Sequence, residues 1–138
     1  MQTKPAHITV MLAVPDGNVA VEFYQRAFGA NLLWKLGDGA DIVAGLEIQG
    51  ATFFLAAESP EFGTRAPSAA GFTTVRVELF VDDPVAIHQK AVAAGAVERS
   101  AVREHEFETH GPKPFRRMLQ GSVLDPYGHI WLVGKFLD

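Results

Sequence analysis

The chain has 138 residues, 48% of them hydrophobic, with 12 Lys and Arg against 16 Asp and Glu and a formal charge of −4. That length supports one globular domain with a real core, and an acidic balance with scattered cations argues against a nucleic-acid surface. The absence of cysteine removes disulfides, a thiol nucleophile and thiolate metal ligands; no apolar run reaches the roughly 18–20 residues of a membrane span and no signal-peptide pattern opens the chain, so a cytoplasmic protein is expected.

In chain order, residues 7–14 read as a buried strand ended by Pro15, Asp16 and Gly17, a turn with a helix-capping acid. Ala20, Phe23, Tyr24, Ala27 and Phe28 then recur at the spacing of one helix face, and Gly29 stops the helix. Residues 31–36 look like a strand. Residues 42–48 and 52–57 look like a hairpin about Gln49 and Gly50. Residues 58–71, with two prolines and two glycines, form a connector. Residues 73–81 are strand again. Asp83 is placed as an N-cap with Pro84 at the first helical position, and that helix stops at Gly95. Residues 97–103 are strand, residues 104–113 a polar loop rich in His and Glu, and residues 118–124 and 130–133 a closing hairpin.

The order is βαβββ twice: a first module over about residues 6–57, a connector over 58–71 and a second module over about 72–138. Two copies make a duplicated module within one α+β domain rather than a solenoid. Each copy is a small sheet with a helix on one face. The other faces are expected to form a shared concave cleft, a place for a small-molecule ligand.

Two motifs sit at opposite ends of this repeat: Phe23-Tyr24 with Ala27-Phe28-Gly29-Ala30, and Asp125-Pro126-Tyr127-Gly128-His129-Ile130-Trp131. With the repeat they resemble the vicinal oxygen chelate superfamily, in particular its glyoxalase/bleomycin-resistance-like branch. The resemblance implies the tandem βαβββ fold and a two-fold homodimer. It also implies, for the metal-dependent members, one divalent ion held by the first and last strands of each module. Other members of that branch hold no metal and sequester flat aromatic antibiotics.

By that resemblance the metal-ligand positions fall on Thr9, Phe54, Arg76 and Leu132. The repeat pairs them the same way, Thr9 with Arg76 when Val14 is laid on Val81, and Phe54 with Leu132 when Gly50 is laid on Gly128. Divalent metals want neutral imidazole or carboxylate oxygen. Phe54 and Leu132 offer no donor, Thr9 only a hydroxyl, and Arg76 a permanent cation suited to an electron-rich group. No cofactor is therefore expected, and glyoxalase-type isomerisation loses its metal. Weak alternatives remain. His7 shares the strand face of Thr9, and Glu78 that of Arg76. Residues 104–110 gather two His and three Glu. His129 is read as structural, His88 as exposed, and Trp131 as packed under the helix. His7, His105 and His110 have no identified acid or base partner, so no catalytic residue is assigned.

The expected ligand contacts are Thr9, Met11, Phe54, Arg76, Leu132 and Phe107, with Trp34, Phe62 and Phe115 as candidates for the rim. An apolar cleft with aromatic edges and one cation suits a planar, partly anionic molecule. The functional expectation is a metal-free binding protein of the sequestration or resistance type. The alternative is a divalent-metal-dependent lyase, isomerase or dioxygenase with displaced ligands.

Overall fold

A computed structural model describes residues 3–138. Two four-stranded sheets follow the repeat. The first is ordered β1-β4-β3-β2, from Met11–Val14 (β1), Asn31–Leu36 (β2), Val43–Ile48 (β3) and Ala51–Ala57 (β4). The second is ordered β5-β8-β7-β6, from Arg76–Phe80 (β5), Val97–Glu108 (β6), Phe115–Leu124 (β7) and Ile130–Phe136 (β8). Helix α1 (Gly17–Phe28) follows β1, and α3 (Pro84–Ala94) follows β5, with a single-turn helix α2 (Pro67–Ala70) in the connector. This is the tandem βαβββ, α+β architecture.

Local chemistry sets these elements in both copies. Asp16 accepts a hydrogen bond from the Val19 N–H at 3.1 Å, and Asp83 from the Ala86 N–H at 3.1 Å. Each carboxylate thus satisfies a backbone donor that the first helical turn leaves unpaired. In each sheet the first strand lies parallel to the last, with Met11 opposite Phe54 and Glu78 opposite Leu132. Those two pairings are equivalent under the alignment that the sequence repeat dictates.

The two modules share one core. α1 and α3 pack against each other. Leu12, Leu55 and Leu46 of the first sheet and Val123, Trp131 and Val133 of the second join the same buried cluster. Tyr24 and Phe28 carry α1 into the second module, where Phe28 lies 4.5 Å from Trp131 between ring centroids and Tyr24 lies 5.6 Å from it. Among the described residues no helix is long and apolar enough to cross a membrane.

The buried carboxylate of Asp125 fastens this junction. One oxygen accepts from the Tyr24 hydroxyl at 2.5 Å and the Trp131 indole at 3.0 Å. The other accepts from the backbone N–H groups of Tyr127 at 2.9 Å and His129 at 3.0 Å. Four donors surround one buried anion, which is how such a charge is tolerated without a cationic partner. His129 adds a 2.7 Å contact from Nε2 to the Ala13 carbonyl, joining the second module's turn to β1. Gly128 (φ 88°) completes the turn. A Cβ there would stand 2.6 Å from the Ser68 nitrogen of the connector, so the turn needs glycine for its conformation and for this close approach.

Three sequence expectations change. The strand expected over residues 7–14 forms only from Met11, because β1 is an edge strand whose one neighbour is β4; its last bond in that direction runs from the Phe54 N–H to the Val10 carbonyl. His7 is thus exposed and outside the strand. The first half of the loop expected over residues 104–113 is strand: β6 runs to Glu108 and pairs with β7 as far as Phe115, and only the rest is loop. His88, expected on the exposed side of its helix, is buried where α3 meets β6, with Nε2 3.0 Å from the Ser100 carbonyl and 3.7 Å from Glu98.

Candidate functional site

With the helices on one side, each sheet has a second face that, among the described residues, is left largely open, the connector approaching it only near Met11 and Ala13. On the first sheet the register brings Met11, Phe54, Gly45 and Trp34 into one row, from β1 through β4 and β3 to β2. Strand alternation puts their neighbours Leu12, Leu55, Leu46 and Phe53 on the buried face. The Trp34 ring lies across Gly45 and meets Phe54 edge-on, 5.0 Å between centroids at 69°. Met11 is half exposed beside it. The row is apolar, aromatic and free of charge.

The open face of the second sheet is polar. Arg76 is 3.8 Å from Glu78, and Glu78 accepts from the Gln120 amide at 3.1 Å. Arg76 therefore has a carboxylate partner on its own strand. Leu132 lies in register between Glu78 and Ser122. Farther along, Phe80 stacks on Phe136 with centroids 5.1 Å apart, and the Arg116 guanidinium sits 4.1 Å above the Phe136 ring while bonding Asp138. Burial pushes the Asp138 carboxyl up, but the Arg116 hydrogen bonds and charge outweigh it and hold the group below its usual value.

The His- and Glu-rich stretch does not converge. In a strand successive side chains point to opposite faces, so Glu104 and Glu106 turn to one side, where both pair with Arg117 at 2.8 and 3.9 Å. Those carboxylates hold the Arg117 pKa above its ordinary value. His105 and Phe107 turn to the other side, and His105 Nε2 lies 3.2 Å from the Gln120 carbonyl. Phe107 faces Arg116 across the ladder.

Thr9, half-buried, precedes β1. Among the expected contacts the register joins Met11 to Phe54 on one sheet. Arg76 and Leu132 share the other, and Phe107 lies on its far ribbon. Phe62 and Phe115, proposed for the rim, are exposed. Two open depressions flank the connector, one of about 280 Å³ reaching Met11, Ala13, Arg65 and Phe72, the other of about 490 Å³ reaching Phe72, Arg99, Leu124 and Ile130. Sequence reasoning passed over Gly45, Gln120 and the Phe80–Phe136–Arg116 stack. Gly45 had a signal, since a glycine inside a strand marks a close approach. The stack had none.

The donor set does not fit a divalent metal. Phe54 and Leu132 supply no donor, Arg76 repels a cation, and Glu78 is engaged by Arg76 and Gln120. Among the described residues no three His, Asp or Glu side chains come together as a metal would need. His7 stands outside the strand that would have aligned it with Thr9.

Two sheets in βαβββ order around one core define a small two-module α+β fold. Residues 4–133 match the Glyoxalase/Bleomycin resistance protein/Dioxygenase superfamily, and the chain belongs to it. An uncharacterized protein of Mycobacterium bovis is 33% identical over 129 residues, 90% of this chain and 79% of that protein. The crystal structure of TioX from Micromonospora sp. ML1 superposes with a TM-score of 0.66 at 25% identity, covering 94% of this chain and 95% of that one. A gene product of Arabidopsis thaliana does so with a TM-score of 0.65 at 26% identity, covering 96% and 100%.

Proposed function

We propose that the protein binds a small, flat, partly anionic organic molecule without a metal, as a sequestering or resistance-type member of its superfamily. The observation that carries this reading is the uncharged row of Met11, Phe54 and Trp34, uncovered on the open face of the first sheet. Aromatic rings gain by stacking and edge contacts with a flat π-system. The methionine adapts its shape to the ligand's outline. Arg76, Arg103 and Arg116 line the second open face and supply the cationic side, although Arg76 and Arg116 share their charge with Glu78 and Asp138.

The protein is further proposed to be a homodimer. It exposes 8508 Å², against about 7,000 Å² for a folded monomer of this mass. The excess exceeds the roughly 800 Å² that each partner contributes to a stable interface. Light scattering after size exclusion should give twice the chain mass; a monomer at micromolar concentration contradicts the dimer.

Titration with planar aromatic carboxylates, read by Trp34 emission, should show binding tighter than millimolar; a panel with no such binder defeats the binding proposal. Metal analysis of protein purified without chelator should give none in stoichiometric amount. Stoichiometric nickel, zinc, iron or manganese would replace this reading with the metal-dependent one.

A further inference from the structure

Gly45 sits in the middle of β3 with an ordinary strand backbone, since its φ is not among the positive values. Conformation therefore does not demand glycine, and glycine weakens a strand interior. What demands it is the ring of Trp34. The two residues are directly paired across β2 and β3, and a Cβ at position 45 would stand 2.3 Å from the indole Nε1 and 2.4 Å from Cε2. Those distances lie far inside van der Waals contact, and the atoms are the rigid body of the ring rather than a flexible end. The pairing of β2 slips between Leu32 and Trp34, an irregularity of the kind that re-aims a side chain. Phe54, Gly45's partner on β4, closes one edge of the indole. The ring thus has glycine beneath it, a phenyl at its side and its outer face toward solvent, with the residue 38% exposed.

We propose that Trp34 is the surface on which the flat part of the ligand stacks, and that Gly45 is the positioning residue that lets its indole lie down on the sheet. The proposal rests on the binding reading above and adds two residues to it. A ring laid flat over the strands offers a π-face parallel to the sheet. The same ring lifted by a methyl group offers an edge and fills the space a ligand would use. Packing alone would make Gly45→Ala a matter of stability; a positioning role moves both the indole signal and the affinity.

The experiment uses the whole chain and naphthalene-2-carboxylate as probe, with affinity measured by calorimetry. Emission of Trp34 is obtained without ligand by subtracting the Trp34→Phe spectrum, in which Trp131 alone emits. Gly45→Ala should shift the Trp34 component to longer wavelength and weaken probe binding about tenfold, the scale of one lost aromatic contact. Trp34→Leu should weaken binding to a similar extent and Trp34→Phe less, because a ring remains. A Trp34 component unchanged by Gly45→Ala overturns the positioning role. Probe affinity unchanged in Trp34→Leu overturns the stacking role while leaving the binding reading intact. A wild type that does not bind the probe overturns the stacking role. Failure across the wider panel of planar carboxylates removes the binding reading as well. If Gly45→Ala does not fold, the two Trp34 variants, which leave β3 untouched, decide.

Discussion

The two modules repeat one plan and use it differently. Both begin with a short edge strand, cap the following helix with an aspartate and lay the first strand parallel to the last. On the helix side they diverge in weight: α1 buries Phe23, Tyr24 and Phe28, whereas α3 buries Pro84, His88 and Ala91. On the open side they diverge in kind. The first sheet presents a tryptophan, a phenylalanine and a methionine, while the equivalent region of the second presents an Arg76–Glu78–Gln120 network. Capping and pairing constrain every copy of such a module because they satisfy its own backbone. Side chains on an uncovered face are not needed to satisfy the backbone or fill the core, so the copies can separate there into an apolar half and a charged half.

The largest effect expected from breaking this comparison lies at the junction between the modules. Asp125→Ala leaves the Tyr24 hydroxyl, the Trp131 indole and two backbone N–H groups without their acceptor. Orphaned buried donors cost about 1–3 kcal/mol each, so a loss of about 4 kcal/mol is expected in chemical denaturation, with incomplete folding at 37 °C as its cellular sign. A loss below about 1 kcal/mol would show that the modules are held by apolar packing alone.

A smaller effect follows from Tyr24→Phe, which keeps the ring and removes one bond to the carboxylate. A bond to a charged group contributes about 1.5–3 kcal/mol. The variant also sharpens the pH dependence. Burial, then the Asp125 charge, raises the Tyr24 pKa well above its ordinary value, and burial, then Asp125, raises that of Tyr127 to about 12. Both groups stay neutral in the folded state at pH values where the unfolded chain ionises them. Their contribution is complete below about pH 10 and is lost as pH rises beyond it toward the folded values. Stability measured from pH 9 to 12 should fall, and should fall less steeply in Tyr24→Phe.

The smallest effect tests the equivalence of the copies. Asp16→Ala and Asp83→Ala each remove one N-cap acceptor and should each cost about 1 kcal/mol in urea denaturation. Unequal losses would mean that one helix start has support the other lacks.

Much of the fold was legible in the chain. The period of Phe23, Tyr24, Ala27 and Phe28, the caps at Asp16 and Asp83 and the Gln49-Gly50 turn are local signals, and each element formed where its signal lay. Trp131 went under α1 because its strand parity required it. The misreadings have a common cause. Residues 104–108 are polar because their strand lies in an exposed ribbon, and polarity alone cannot tell a solvated strand from a loop; the pairs of Arg117 with Glu104 and Glu106 are cross-strand contacts. His88 sits on the polar side of a helix by sequence, and only the arrival of β6 buries it.

The site divides along the same line. The resemblance placed the metal-ligand positions on Thr9, Phe54, Arg76 and Leu132, side chains poor in donors for a divalent ion, and the repeat paired the four the same way because equivalence between copies is a matter of sequence spacing. It also determined the fold class, because caps, turns and alternation act over a few residues. Whether Gln120 reaches Glu78, whether Trp34 lies flat on Gly45 and whether Asp125 reaches Tyr24 were decided only by tertiary structure. Each depends on partners tens of residues apart in the chain or on the register between strands, and no local propensity encodes that meeting.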